Sequence, residues 1–97
     1  MKKNMIIDGR DIHTESDVHR ILAEIMEFGP YYGKNLDALW DCLSTDIERP
    51  IRIIWCHSDL SKKRLGERFD KIIEIFERVR QQDIIFSWED KFDYWLK

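Results

Sequence analysis

Hydrophobic residues recur with helical spacing over much of the chain. The first such stripe lies at i, i+3, i+4 and i+7 and consists of Val18, Ile21, Leu22 and Ile25. It predicts an amphipathic helix that ends near Phe28, because Gly29 and Pro30 follow. Thr14 and Asp17 precede the stripe with the spacing of a helix N-cap.

Three further helices are predicted after this one. Asn35 can cap a short helix whose core stripe is Leu36, Leu39 and Leu43. A second short helix is expected from Ser58 to Leu65, ended by Gly66. The most regular pattern predicts a helix that runs to about Gln82 and is formed by Phe69, Ile72, Ile73, Phe76 and Val79.

Three short apolar runs predict strands. They are residues 4–8, the run IRIIWC after Pro50, and the run DIIFSW at residues 83–88. Because helices separate each pair of strands, the strands are expected to pair in parallel. The predicted fold class is therefore α/β, with a small parallel sheet of about three strands packed with about four helices.

The last residues, 89–97, fall outside this scheme. We expect a single domain over residues 1–97, in which 89–97 is an aromatic C-terminal extension. Large apolar side chains follow helical spacing in this region, at Trp88, Phe92, Trp95 and Leu96. Such a stripe either packs against the domain or forms a dimer contact. A monomer is expected, with a weak dimer through the tail as the alternative.

The overall charge and hydropathy exclude several classes of protein. A net charge of only −3 gives no sign of a polyanionic or membrane partner. No apolar run approaches the roughly 20 residues of a membrane span. The N-terminal MKKNMIIDG also lacks the longer apolar stretch of a signal peptide. We therefore expect a cytoplasmic protein.

Candidate metal ligands are scattered along the chain. Cys42 and Cys56 lack metal-binding spacing and are expected to be thiols. His13, His19 and His57 are interpreted as surface or boundary residues. No metal or cofactor is predicted. The basic segment SKKRLGER could contact nucleic acid, but a solvated helix surface is the preferred interpretation.

Acidic residues are concentrated between Asn35 and Glu48, a segment without a single Lys or Arg. Asp37 and Asp41 lie one helical turn apart, and their repulsion costs about 0.2–0.5 kcal/mol. The helix dipole also opposes Asp41 toward the C-terminal end of a short helix. A helix that keeps charges at unfavourable positions often does so at a functional site, because the cost in stability is offset there by binding or catalysis. An acidic cluster of this kind is most often a solvated surface. The aromatic residues Tyr31, Tyr32 and Trp40 around it weaken that interpretation and favour a surface that binds a partner.

The same two carboxylates, Asp37 and Asp41, also suggest an enzyme. A hydrolase could use one as general acid and the other as base or nucleophile. However, no nucleophile motif, glycine-rich phosphate loop or metal-ligand spacing accompanies them. We therefore expect a protein that is not an enzyme, with the hydrolase as a remote alternative.

The segment YYGKNLDALWDCL, residues 31–43, closely resembles the motif of the barstar family of ribonuclease inhibitors, and a similar loop, STDIERP, follows it. The resemblance implies a three-stranded parallel sheet with four helices. It also implies that the protein blocks the active site of a microbial ribonuclease of the barnase type, as an antitoxin or immunity protein. A barstar-fold module that binds another basic protein without inhibiting it is the alternative.

The resemblance also implies which residues contact the partner. The positions so assigned to the contact surface are Tyr31, Gly33, Asn35, Leu36, Asp37, Trp40, Asp41, Asp46 and Glu48. Among them, Asp41 matches the aspartate that occupies the phosphate site, so the acidic surface mimics RNA phosphate. Two positions depart from the family: Asp46 stands where the best-known member has Trp, and Arg78 stands where an acidic interface residue is found. Together with the additional aromatic tail, these departures predict a different cognate enzyme, or another toxin, from that of the best-known member.

Overall fold

The computed structural model of the protein describes residues 3–87 and 89–97, and the side chain of Asp46 lies outside the description. The elements are β1 (Lys3–Asp8), a 3-10 turn (Gly9–Asp11), α1 (Glu15–Met26), α2 (Leu36–Asp41), a π-helical turn (Cys42–Asp46), β2 (Ile51–Cys56), α3 (Ser58–Leu65), α4 (Glu67–Ile85) and β3 (Phe92–Leu96). The fold is α/β, with a three-stranded sheet and four α-helices, as the sequence predicts.

The sheet has the order β1-β2-β3, and both pairs of strands are parallel. Alternate residues of β2 are buried, and those between them are half-buried. One face of the sheet therefore carries the hydrophobic core, because side chains alternate along a strand. Its largest fully buried side chains are Trp55, Phe76, Phe92, Ile7 and Ile12.

The predicted caps of the first two helices are confirmed. Thr14 and Asp17 form a reciprocal capping box at the start of α1. The Oδ1 atom of Asn35 accepts a hydrogen bond of 2.8 Å from the backbone N–H of Ala38, which caps α2. These caps satisfy backbone donors that would otherwise lack partners at each helix start.

A close approach at Gly9 joins β1 to the turn between β2 and α3. A Cβ atom at this position would collide with the carbonyl oxygens of Cys56 and His57 and with the hydroxyl of Ser61. The Ser61 hydroxyl in turn accepts a 2.9 Å hydrogen bond from the indole N–H of Trp55. Glycine is therefore required here, because the two segments approach each other too closely to leave room for a Cβ atom.

The prediction of a third strand at residues 83–88 is wrong. Residues 83–85 instead continue α4, and Trp88 lies outside the described residues. The buried stripe of α4 runs through Phe76 and Val79 to Asp83, which keeps helical spacing. The apolar residues after Asp83 resemble a buried strand in sequence, yet Ile85 is 74 % exposed.

The third strand is formed by the segment that was expected to extend beyond the domain. Phe92 is fully buried, Asp93 and Tyr94 are half-buried, and Trp95 and Leu96 are exposed, so burial decreases along the strand toward its C-terminal end. β3 pairs with β2 in the register Ile53 with Tyr94 and Ile54 with Trp95. The predicted helical stripe in this tail is therefore wrong for residues 92–96, which form a strand, and Trp88 lies outside the described residues.

A buried ion pair joins the start of β2 to the end of α4. The Nε and Nη2 atoms of Arg49 donate hydrogen bonds of 2.6 and 3.2 Å to the carboxylate of Asp83, which is fully buried. Arg49 also donates to the carbonyl oxygen of Leu43 at 2.8 Å. Asp83 accepts a further bond of 2.7 Å from the backbone N–H of Phe92. The pair therefore connects the π-helical turn, β2, α4 and β3.

Replacing Asp83 with alanine should lower the free energy of unfolding by about 3–5 kcal/mol, because Arg49 would be left as a buried, unpaired charge. Urea denaturation of the wild-type and Asp83→Ala proteins measures this change. The control is Asp70→Ala, which breaks an exposed pair with Lys62 of 3.1 Å and should cost less than about 1 kcal/mol. Equal losses in the two variants would contradict a structural role for the buried pair.

Candidate functional site

The short helix α2 and the loop before it carry most of the predicted contact residues. Tyr31 lies in this loop and is 96 % exposed, which is unusual for an aromatic side chain. Gly33 packs closely on the helix start, since a Cβ atom there would lie 3.3 Å from Cβ of Ala38 and from Nδ2 of Asn35. Asn35 uses its side chain to cap the helix. The end of the loop is therefore packed against the start of α2, whereas the side chain of Tyr31 is open to solvent.

The acidic pair, Asp37 and Asp41, is exposed on α2. Asp37 lies in the first turn of the helix, and Asp41 is its last residue. Within residues 3–87 and 89–97, neither carboxylate accepts a hydrogen bond or joins an ion pair. Both charges are therefore available to an external partner.

The π-helical turn after α2 fixes the backbone at Asp41. The hydroxyl of Thr45 donates a 2.6 Å hydrogen bond to the carbonyl oxygen of Asp41, and the hydroxyl of Ser44 donates to the same atom at 3.3 Å. The turn closes with a bond of 3.2 Å from the N–H of Ile47 to the carbonyl of Cys42. Such turns are frequent at functional sites. Here it holds the end of α2 in place.

A groove of about 320 Å³ lies between α2 and α4. It is lined by Leu36, Asp37, Trp40, Lys71, Glu74, Ile75 and Arg78, and we call it the α2–α4 groove. The guanidinium carbon of Arg78 lies 4.6 Å from the centre of the Trp40 ring, a cation–π contact. The structure therefore brings three predicted contact residues, Leu36, Asp37 and Trp40, together with charges from α4.

A second, mainly apolar groove of about 330 Å³ shares Trp40 and Arg78 with the first. It continues along α4 to Ile85 and Phe86, which are both exposed. The exposed hydrophobic side chains at the end of α4 therefore form an apolar surface that is continuous with Trp40.

The other predicted contacts lie apart from the α2–α4 groove or outside the description. Glu48 is exposed and lines a different cavity of about 210 Å³, together with Met5 of β1 and Ile25 of α1. The side chain of Asp46 lies outside the described part of the chain. Tyr31 and Asp41 do not line the α2–α4 groove.

Glu77, the neighbour of Arg78, is occupied within the fold. Its carboxylate accepts hydrogen bonds from Arg80 at 2.9 Å, Gln81 at 2.7 Å and the hydroxyl of Tyr94 at 2.7 Å. The bonds from Arg80, Gln81 and Tyr94 lower the pKa of Glu77 to about 2. Burial and the bond to Glu77 raise the pKa of Tyr94 to about 12. Glu77 therefore attaches α4 to β3 and is not a free charge at the site.

A buried histidine supports the loop from behind. His19 is only 1 % exposed, so its interpretation as a surface or boundary residue is wrong. Its Nδ1 atom lies 2.6 Å from the Tyr32 hydroxyl, and its Nε2 atom lies 2.9 Å from a carboxylate oxygen of Glu15. Glu15 also accepts a 2.5 Å hydrogen bond from Arg68 of α4. Burial raises the pKa of Tyr32, which keeps the hydroxyl protonated. This network connects the loop to α1 and α4.

The basic segment SKKRLGER makes contacts within the fold. Lys62 pairs with Asp70, and Arg64 donates hydrogen bonds of 3.0 and 3.1 Å to the carbonyl oxygens of Arg10 and Ile12. Arg68 pairs with Glu15. These contacts favour the interpretation of a helix surface over a nucleic-acid site.

Among residues 3–87 and 89–97, no group of His, Cys, Asp and Glu side chains is arranged to hold a metal ion. Over the same described ranges, no helix combines the length and the apolar character needed to cross a membrane.

Lys71 and Glu74 are site residues that the sequence reasoning missed. Together with Arg78 they lie at i, i+3 and i+7, and all three are exposed on one stripe of α4. That spacing was a signal in the sequence. Nothing in the sequence, however, shows that the stripe faces Asp37 across a groove.

Replacing Asp41 with alanine should leave the free energy of unfolding unchanged or raise it by up to about 0.5 kcal/mol, because the repulsion with Asp37 is removed. Urea denaturation provides the measurement. As a control, Asp17→Ala removes a carboxylate of the capping box and should lower stability. A clear loss of stability in Asp41→Ala would show that this carboxylate is structural.

Replacing Glu77 with glutamine should destabilise the protein at pH 7 and have a diminishing effect in acid. The pKa of Glu77 falls from its ordinary 4.5 to about 2 on folding. Its charge therefore stabilises the fold above about pH 4.5, and this contribution is lost as the pH falls toward about 2. Urea denaturation of both proteins at several pH values tests this. A stability difference that stays constant over that range would contradict it.

Comparison with known proteins agrees with this architecture. The family model described as Barstar (barnase inhibitor) matches residues 2–97. A protein of Bacillus subtilis (strain 168), named "Putative ribonuclease inhibitor YrdF", is 34% identical over 80 residues, which cover 82% of this chain and 88% of the relative. On these matches and on the fold, the chain belongs to the barstar family.

Proposed function

We propose that the protein inhibits a microbial ribonuclease by covering its active site with α2 and the loops on either side. One observation carries the proposal: the carboxylates of Asp37 and Asp41 are exposed on a short, firmly held helix and have no partner among the described residues. Membership of the barstar family and the name of the Bacillus subtilis relative support it.

The acidic pair suits the active site of a ribonuclease. Such an enzyme must hold polyanionic RNA with arginine, lysine and histidine side chains. A carboxylate placed in the phosphate site accepts charge-assisted hydrogen bonds from these groups. We assign this role to Asp41, with Asp37 one turn away as a second acceptor.

The rigidity of α2 adds to the binding free energy. Its start is capped by Asn35, and its end is held by the hydroxyls of Ser44 and Thr45. Groups that are ordered before binding lose little conformational entropy in the complex. In this proposal Asn35 and Gly33 shape the surface, whereas Tyr31 and Trp40 provide aromatic contacts at its sides.

The exposed acids also influence the rate of association. A negative surface attracts a basic active site over several ångströms, which speeds encounter and makes the rate fall with added salt. Glu48 and Asp46, which follow α2 in the sequence, would add to this attraction. An inhibitor of this kind performs no catalysis, and we propose that it acts as an antitoxin or immunity protein in the cytoplasm.

Inhibition of a panel of small guanyl-specific and related microbial ribonucleases tests the proposal. RNA cleavage and binding heat are measured with increasing inhibitor at low and high salt. We expect at least one enzyme to be inhibited, more weakly at high salt, and Asp41→Ala to bind it at least about 30-fold more weakly. The matched control is Glu24→Ala, which removes an exposed acid from α1 and should change affinity little.

Other outcomes would contradict the proposal in distinct ways. Specific binding of a basic protein that is not a nuclease, without inhibition across a broad panel, would indicate a barstar-fold module with another partner. Turnover of a substrate by the isolated protein, lost in Asp37→Asn or Asp41→Asn, would indicate a hydrolase.

A further inference from the structure

Two cations stand at the edge of the surface that we propose for a basic enzyme. Lys71 and Arg78 both project from α4 into the α2–α4 groove, opposite Asp37 of α2. Both side chains are exposed. The surface is therefore acidic on the α2 side, whereas the α4 side carries two cations, Lys71 and Arg78, with the acid Glu74 between them in the sequence.

Arg78 is held in a position from which it can reach a partner. Glu74 lies four residues before it on α4, the orientation that favours a helical ion pair. No such pair forms within the described residues, and the guanidinium instead lies 4.6 Å from the centre of the Trp40 ring. A cation–π contact does not occupy the N–H donors of the guanidinium with a hydrogen-bond acceptor, so they stay available. Arg78 is thus oriented, yet its hydrogen-bonding capacity is unused.

Lys71 adds a second unused cation to the same groove. In the part of the chain that the structure describes, its ammonium group joins no ion pair and donates no side-chain hydrogen bond. Placing a like charge against Lys71 and Arg78 in a complex is strongly unfavourable. A partner surface that is basic throughout would therefore be rejected at this edge, whereas a carboxylate would be accepted.

We propose that the α2–α4 groove receives an acidic side chain from the rim of the ribonuclease active site, bound by Arg78 and Lys71. This inference rests on the proposed function and specifies its partner. The groove volume of about 320 Å³ falls within the roughly 300–1,000 Å³ of ligand pockets, so it can admit a side chain. The enzyme that fits has a basic centre opposite Asp37 and Asp41 and a carboxylate beside it.

The mixed charges give the inhibitor selectivity between enzymes. Asp37 and Asp41 attract any ribonuclease, because every such enzyme binds phosphate. Arg78 and Lys71 favour only those with an acid at the matching place, and they repel the others. Specificity commonly requires such a repulsive element in addition to attractive contacts.

Charge reversal at Arg78 tests this inference with a ribonuclease from the panel that the wild-type protein inhibits. Arg78→Glu should weaken binding at least about tenfold, and Arg78→Gln should have a smaller effect in the same direction. The matched control is Lys63→Glu, which makes the same change in net charge at an exposed position on α3. It should bind equally well or slightly more tightly, since a more negative inhibitor attracts a basic enzyme more strongly.

A complementary change in the enzyme identifies the acid. Reversal of each carboxylate at the rim of its active site to lysine should weaken the wild-type complex at one position and restore binding of Arg78→Glu there. Circular dichroism and urea denaturation establish that Arg78→Glu is folded.

The sign of the effect distinguishes the outcomes. Unchanged or tighter binding of Arg78→Glu, with the wild-type protein inhibiting normally, would overturn this inference and leave the proposed function intact. Failure of the wild-type protein to inhibit any ribonuclease in the panel would overturn both.

Discussion

The buried ion pair between Arg49 and Asp83 is the constraint on which the rest of the structure depends. Its two residues are separated by 34 positions, and it contacts Leu43 in the π-helical turn and Phe92, the first residue of β3. A buried ion pair is not in itself strong evidence of stability, because desolvation offsets much of the attraction. What it provides here is geometry: with Leu43, Asp83 and Phe92 bound to one network, the chain after α2 and the chain after α4 reach the sheet together.

The acids inside the fold and the acids on α2 follow opposite rules. Asp83 is fully buried and every bond it makes compensates its charge, as burial demands. Asp37 and Asp41 are exposed and mutually repulsive, and water reduces that repulsion to about 0.2–0.5 kcal/mol. The fold can therefore keep an unfavourable pair on its surface at small expense, while the caps and the π-helical turn hold the pair in place.

The charged residues of α4 also fall into two groups, those bonded within the fold and those exposed at the groove. Glu77 is bound to Arg80 and Tyr94 and connects the helix to β3, whereas Arg78, the next residue, lies over Trp40 at the α2–α4 groove. Neighbouring residues of a helix point in different directions, so one can serve the core and the next a partner. The departure at Arg78 thus belongs to a groove with its own charge pattern, in which acid and base come from different helices.

Local chemistry in the sequence determined the capped helices, the first two strands and the acidic pair, because each depends on residues within a few positions of one another. The parallel arrangement followed from the order of the elements, since helices separate the strands along the chain. Only the tertiary structure decided where α4 ends and which segment forms β3. The runs DIIFSW and FDYWL both suit a strand by composition, and the choice between them depends on Asp83, which stays helical in order to reach Arg49 and Phe92. The burial of His19 and the placement of Lys71 and Arg78 opposite Asp37 were likewise decided by packing. Contacts between distant segments are set by the whole core, and a local hydrophobic period carries no information about them.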